Sequence, residues 1–492
     1  MEETLSFPLW LRINHVINLF CMFLLMRSGV QILADHPKLY WNDGTTPGSE
    51  WAHFGTKVMP KDRLWTSMDE AEHINSIVAL PGGHHNLGAA RNWHFLIVPV
   101  WIVNGLSYAI FLGVTGEWRR LIPTSWTIIP RAWESALTFA SLQIPPDSAF
   151  TPYDPLQQLT YATVVFLVAP LMILTGLCMS PALIARFPWY PKLFGGRQAA
   201  RSLHFIGLMT LVLYTLVHVT LVVVVHFPED VSDMVLGSTN PNVTLALWIA
   251  SMVLIGVVLF HIWATIYTLR YQRQFQTHAT AIVEPLMRFL FGSLRSRQQY
   301  AKADISPYFR VNGYPPEHES YQRLATENFA DWTLTIGGLV EQPLALSLED
   351  LRVFPKQEQI TKHNCIQGWS AVAEWGGVRM STILDRCRLL PQARYVVFHA
   401  FPQAEYAPNT YYEVLTLEDI LDPQTMLAYE MNWKPLPIPH GAPCRLRIEI
   451  KTGYKMVKYL RAIEVVDSFG GIGKGHGGYR EDHQYYDKVA AI

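Results

Sequence analysis

Five long apolar stretches in the first 270 residues constrain this chain more than any other feature: about 9–33, 94–114, 158–180, 203–225 and 244–269. Each supplies the ~20 mostly apolar residues that a helix needs to cross a bilayer, where a helix also satisfies its own backbone. Composition agrees, since 16% of the 492 residues are charged against ~25% in soluble domains. After about residue 300 the apolar runs stop and the chain reads as a soluble domain. A net charge of −1, with no basic run interleaved with aromatics, gives no footprint for nucleic acid. Five cysteines, with Cys21 and Cys178 inside apolar runs, form no disulfide framework. No cleavable signal peptide is evident, because the first apolar run is long and no A-x-A-like site follows it. No internal repeat is visible, which argues against an inverted-repeat transporter. The expected organisation is a membrane domain over 1–272, a connector over 273–318 and a soluble domain over 319–492.

Histidines inside the apolar stretches carry the first functional signal, because an ionisable group in a membrane helix is costly. The fourth stretch, "SLHFIGLMTLVLYTLVHVTLVVVVHF", holds His204 and His218, fourteen residues apart. On a helix that is ~21 Å along the axis, most of the hydrocarbon thickness. Fourteen steps of ~100° end about 40° short of whole turns, so both rings share nearly one face. His15 stands near the start of the first stretch and His94 near the start of the second. Successive spans run in opposite directions, which puts His94 with His204 at one surface and His15 with His218 at the other. Two bis-His pairs stacked in a helical bundle are what two b haems need. For His261, in the fifth stretch, the expectation is a polar group bonded to a neighbouring helix. His84, His85 and His226 fall in loops or at span ends and are read as bystanders. Arg91, Arg197 and Arg201 cluster beside His94 and His204 and are candidates for pairing with haem propionates.

On the motifs "RINH", "LGAARNWHFLIVPVWIVNGLSY" and "LFGGRQAARSLHF", followed by the second histidine of the fourth span, this half resembles the bacterial cytochrome b561 family. That is the membrane subunit type serving formate dehydrogenases and nickel-iron hydrogenases. The resemblance covers roughly residues 8–235 and leaves the fifth span outside the family's four-helix core. It implies His15, His94, His204 and His218 as ligands of two haem b groups.

In the soluble half "DWTLTIGGLV", "RYVVFHAF", "CRLRIEI" and "LRAIEVV" predict short strands between Pro- and Gly-rich turns. "MSTILDRC" and "TLEDILD" predict short helices, so the fold class is an α-helical membrane bundle followed by a soluble α+β domain. "HNCIQGWSAVAEWGG" sets a lone Cys365 in a polar-aromatic stretch with no partner cysteine nearby. A thiolate is a soft ligand, and one suffices where a cofactor supplies the rest, as with molybdenum on a pyranopterin dithiolene. The chemistry alone leaves this reading level with a buried small hydrophobe, which is the reading for Cys387 and Cys444. "GGIGKGHGG" lacks the phosphate-loop pattern and reads as a flexible tail loop.

Residues 320–492 resemble the sulfite oxidase superfamily of molybdenum enzymes. The motifs are "HNCIQGWS" with "EWGGV", "RYVVFHAF", "LAYEMNWKPLPIPHGAPCRLRIEIKTGYKMVKYLRAIEVV" and "GGYREDHQYY". The resemblance implies Cys365 as the molybdenum ligand. It implies pterin contacts at His440, Arg445, Met456, Val457, Lys458 and Ala400, with Asn328 a further candidate. Sulfite oxidases proper follow the ligand cysteine with a Gly-Asn-Arg-type run, whereas here Ile366, Gln367, Gly368, Trp369 and Ser370 follow. That is similar to the periplasmic protein-methionine-sulfoxide reductases. A pocket walled by Trp369 and Trp375 suits a neutral sulfoxide better than a dianion, with core packing the other reading of these rings.

Together the halves imply a membrane-bound molybdenum oxidoreductase exchanging electrons with the quinone pool. Quinol is expected to be oxidised near the His15/His218 haem, with electrons passing to the His94/His204 haem and then to molybdenum. There an S- or N-oxide loses its oxygen as water. The alternatives are a sulfite-type dehydrogenase feeding quinone, or a non-catalytic conduit whose soluble domain binds a partner. Lys38, Lys57, Lys61, Arg63, Arg186, Lys192 and Arg270 enrich the soluble-domain side in positive charge, which points to the cytoplasm. The resemblance instead implies a bacterial inner-membrane protein with its molybdenum domain in the periplasm. We take the periplasmic side as the expectation, although no twin-Arg export motif is present.

Overall fold

The computed structural model describes residues 7–141, 153–224, 227–237, 242–291, 298–407 and 409–486; His226 lies outside them. Five helices of 24 to 29 residues are long and apolar enough to cross a membrane. They are α1 (Leu9–Ala34), α2 (Leu87–Thr115), α3 (Pro155–Cys178), α4 (Arg197–Val224) and α5 (Val243–Arg270). Val114, Leu213 and Trp248 on these helices stay exposed, as side chains that face lipid must. Both α2 and α4 begin before their apolar runs, in "LGAARNW" and "RQAARS", because these polar turns are docked on protein. At Gly88 any Cβ would lie 2.9 Å from the carbonyl oxygens of Gln484 and Tyr485, so the C-terminal segment can approach the helix only over glycine.

Cys21 and Leu24 of α1 pack against Ala89, Trp93 and Ile97 of α2. The fifth span is tied to this pair by Arg27. Its guanidinium donates to His261 Nδ1 (2.9 Å), Thr265 Oγ1 (2.8 Å) and the Ser76 carbonyl (2.6 Å). His261 is thus bonded to a neighbouring helix, as expected. The predicted connector opens with a helix, α6 (Gln272–Phe291), that the apolar-run criterion could not find because it is amphipathic. Its Phe275 stacks on Trp93 at 4.9 Å.

The soluble domain is built on two sheets. One has the order β2-β1-β10-β5-β6 and the other β8-β7-β4-β3, with β9 also on β7. The strands are β1 (Thr333–Gly338), β2 (Leu344–Ser347), β3 (Lys356–Asn364), β4 (Ser370–Arg379) and β5 (Tyr395–Ala400). They continue with β6 (Tyr412–Thr416), β7 (Met426–Met431), β8 (Lys434–Pro435), β9 (Arg445–Arg447) and β10 (Leu460–Val466). The predicted strands appear as β1, β5, β9 and β10, and the predicted helices as Met380–Cys387 and Leu417–Ile420. The β3–β4 hairpin was not predicted, since "KQEQITKHN" is polar and "SAVAEWGGVR" is rich in small residues. All five cysteines are free and buried, with Cys387 and Cys444 in the main core beside Trp332, Phe398 and Ile463.

Candidate functional site

In the membrane half, His15 on α1 and His218 on α4 face each other with ring centroids 6.3 Å apart. Two imidazoles bonded to one metal through a nitrogen each, at ~2 Å, have centroids about 6 Å apart, so the spacing fits an iron between them. Tyr214 stacks on His218 at 5.6 Å. At the other end of α4, His204 Nδ1 lies 3.0 Å from Thr175 Oγ1, and His94 Nδ1 lies 3.0 Å from Ser28 Oγ. Each hydroxyl already donates its one proton to a carbonyl, Leu171 O at 2.6 Å and Leu24 O at 2.7 Å. The imidazoles must therefore donate from Nδ1, which leaves the Nε2 lone pairs for a metal. Arg197 is buried, donates to Met179 O at 3.2 Å, and has Nε and Nη1 unpartnered. An orphaned guanidinium of this kind suits a carboxylate such as a haem propionate. Arg201 is placed differently, with both terminal nitrogens on the carbonyls of Lys38 and His36. Arg91 lies over the Phe95 ring at 5.2 Å.

In the soluble half, Cys365 opens the tight loop joining β3 to β4. The last ladder pair is Asn364–Ser370, Cys365 N donates to Trp369 O (3.0 Å), and Gly368 N donates to Cys365 O (3.1 Å). Gly368 holds φ at +106°, a conformation that favours glycine. The thiol is 3% exposed and points its proton at Gln367 Oε1, 3.6 Å away. Burial pushes it up to about 12, opposed by a backbone hydrogen bond from Gln367 and by Arg480 and Arg197. Burial thus favours the neutral thiol, and a bound cation would favour the thiolate.

Beside this loop a cleft is lined by Phe309, Trp369, His440, Arg445, Met456 and Lys458, joined by Arg310 and Arg480. Burial, then the Arg445 charge, lowers Lys458 to about 7; burial, then Arg447, lowers Arg445 to about 9. Burial, then Lys458 and Arg445, lowers His440 to about 3. Arg445 Nε also lacks a partner. Cations that depress one another in this way fit an anion between them, as a pterin phosphate would be. Of the other predicted pterin residues, Ala400 and Val457 are fully buried outside the cleft lining, and Asn328 is exposed on a turn at φ +51°. Trp375 is fully buried beneath Arg447 (4.2 Å) and Arg445 (5.1 Å), so it supports the cations and does not wall the cleft.

Sequence reasoning missed Phe309 and Arg310, which come from the predicted connector, and Arg480 from the C-terminal segment. The "GGIGKGHGG" loop differs from expectation as well. It is docked, with Val414 N donating to Gly477 O (3.1 Å) and Lys455 Nζ to the same carbonyl (3.1 Å).

The two halves meet at the Cys365 loop. Gln198 of α4 donates to Gly368 O at 3.1 Å, while Gln367 donates to Ser67 O at 3.1 Å and Asp35 O at 3.3 Å. Glu70 accepts from Lys38 (3.1 Å) and from Arg310 (2.5 Å), joining the loop after α1 to the cleft wall. One helix thus carries His204 and His218, the two histidines expected to ligate haem, and touches the cysteine loop at its N-terminal end. The class is a membrane-bound molybdenum oxidoreductase with cytochrome b.

Residues 6–237 match the prokaryotic cytochrome b561 family and residues 321–469 the oxidoreductase molybdopterin binding domain. The chain belongs to these two families, joined in one polypeptide. It is similar to an Azospira oryzae protein named "Putative protein-methionine-sulfoxide reductase subunit YedZ1", at 32% identity over 197 residues, 40% of this chain and 69% of that one. It is also similar to the protein-methionine-sulfoxide reductase catalytic subunit MsrP of Xanthomonas axonopodis pv. citri, at 33% identity over 29% of this chain and 47% of the relative. The catalytic subunit MsrP of Campylobacter jejuni is 32% identical over 28% of this chain and 50% of the relative. The chain spans about half the length of these two catalytic-subunit relatives.

Proposed function

We propose that this protein oxidises membrane quinol and uses the electrons to remove oxygen from a neutral S- or N-oxide. The observation that carries this reading is the contact between α4 and the Cys365 loop, Gln198 to Gly368 at 3.1 Å, on the helix that bears His204 and His218. In this reading His15 and His218 hold one haem b, His94 and His204 hold a second, and Arg197 binds a propionate. Cys365 ligates molybdenum while His440, Arg445 and Lys458 hold the pterin phosphate. Bound molybdenum supplies two-electron oxygen-atom exchange. The chain's own part is to orient the oxide and exclude water among Phe309, Trp369, Tyr406 and Tyr411. A neutral substrate is favoured because the two remaining cations are matched, Arg310 by Glu70 at 2.5 Å and Arg480 by Glu405 at 3.7 Å. The names of the relatives point the same way, to methionine sulfoxide within protein. We place the molybdenum domain on the periplasmic face, following the family resemblance.

The test uses the visible haem bands of the purified holoenzyme. Quinol should reduce them and methionine sulfoxide should then reoxidise them. Reduction of the oxidised protein by sulfite would instead make it a dehydrogenase.

A further inference from the structure

The chain between α2 and α3 lies at the membrane surface remote from the soluble domain, since α2 starts under the C-terminal segment at Gly88 and ends at Thr115. It contains the helix Ile128–Ala140, which packs on the first turns of α3. Two hydrogen bonds fix its level. Ser135 Oγ donates to Oδ2 of Asp154, the N-cap of α3, at 2.7 Å, and Gln158 Nε2 of α3 donates to Arg120 O at 2.9 Å. At ~100° per residue the helix has three sides. Ala132 and Ser135 form the first and are buried. About 130° round the axis, Ile129, Trp133 and Leu137 form a single stripe and are 51%, 66% and 50% exposed. About 130° further stand Arg131 and Glu134, both exposed.

One side thus rests on protein, one is charged, and the third is apolar and uncovered. A helix divided in this way matches a boundary between bundle, water and hydrocarbon. We propose that Ile128–Ala140 lies in the plane of the bilayer at its headgroup level, with Ile129, Trp133 and Leu137 turned into the acyl chains. Arg131 and Glu134 then face water. Lipid is the occupant because the helix is pinned beside the end of α3, a helix that itself crosses the bilayer. A protein partner fits poorly: the stripe is one residue wide and ~12 Å long, far short of the ~800 Å² a side that a stable interface buries. Trp133, and Trp126 in the preceding turn at 86% exposed, suit the headgroup layer, where an indole meets both apolar and polar surroundings. Arg131 and Glu134 cancel in charge, so the attachment rests on apolar burial and not on attraction to anionic lipid.

The experiment uses the full-length protein in phosphatidylcholine nanodiscs, spin-labelled at one position at a time through Ile129→Cys, Arg131→Cys, Trp133→Cys, Glu134→Cys or Leu137→Cys. The native cysteines are buried, and an unchanged visible spectrum checks the fold of each variant. Collisions of the label with oxygen, which concentrates in hydrocarbon, are compared with those of a water-soluble nickel chelate. Oxygen should dominate severalfold at positions 129, 133 and 137, and the chelate at 131 and 134. The pattern should be the same when part of the lipid is phosphatidylglycerol. Dominance of the chelate at all five positions would put the stripe in water and overturn the proposal. Exclusion of both relaxants from the stripe would mean that protein covers it, a second copy of the chain included, and would overturn it as well. A pattern that forms only with phosphatidylglycerol would refute attachment by apolar burial.

Discussion

The cleft beside Cys365 and the two histidine pairs that share α4 would hold the groups proposed for them by opposite means. The cleft crowds cations, with Arg445 at about 9 and Lys458 at about 7, and awaits an anion to reconcile them. The pairs are set by spacing: rings 6.3 Å apart at one end, and tautomers fixed by Thr175 and Ser28 at the other. A water-exposed domain can afford a cation cluster, whereas a bilayer penalises each unpaired charge and selects neutral ligands. Removing the cofactor should therefore disturb the cleft electrostatically and leave the pairs largely in place.

That contrast is sharpened most by Cys365→Ser. Reoxidation of the haems by sulfoxide should fall by ~10²-fold or more, the upper range for losing a metal-site interaction, with unchanged haem bands. A conduit would lose nothing. Replacing His218 by Ala should remove one haem, about half of the haem absorbance per protein, and stop reduction by quinol. Loss of all haem would instead mean that the two pairs assemble as one unit. Thr175→Val leaves His204 Nδ1 without its acceptor and should weaken the local haem ~10-fold, read by haem retention during dilution.

The cleft has its own signature in pH. Lys458 and Arg445 release protons earlier when folded than when unfolded, so the unfolded chain binds more protons above about pH 7. By linkage, stability should rise as pH increases from about 7 toward 10 in cofactor-free protein. An added anion raises the folded values, so that rise should flatten once the molybdenum cofactor is loaded. A flat melting temperature across this range in cofactor-free protein would refute the charge-crowding account. The smallest effect is expected at the junction, where Gln198→Leu removes one hydrogen bond to Gly368 O. A cost of about 1 kcal/mol follows, seen as a small drop in apparent Tm.

Much of the membrane half was legible in advance because each apolar stretch meets the bilayer's demand by itself. The relation between His204 and His218 needs only the pitch of one helix. Boundaries were less legible: α2 and α4 extend into polar sequence because protein, not lipid, covers those turns. In the soluble half Cys365 stood out through its isolation, and Arg445 and Lys458 through resemblance. The β3–β4 hairpin that presents Cys365 was hidden by polar residues whose burial is decided by their partners. Phe309 and Arg310 sat in sequence that reads as linker, and Trp375 proved to be a support under the cations.

By itself, then, the sequence determined five spans, two histidines on one helix face and a lone cysteine in a soluble domain. Each of these depends on a local period or on one residue's chemistry. Only the tertiary structure decided that His15 meets His218, that Arg310 and Arg480 reach the cleft, and that Gln198 touches Gly368 across 170 positions. Such contacts join segments remote in the chain, and their free energy belongs to the pair and is written in neither segment alone.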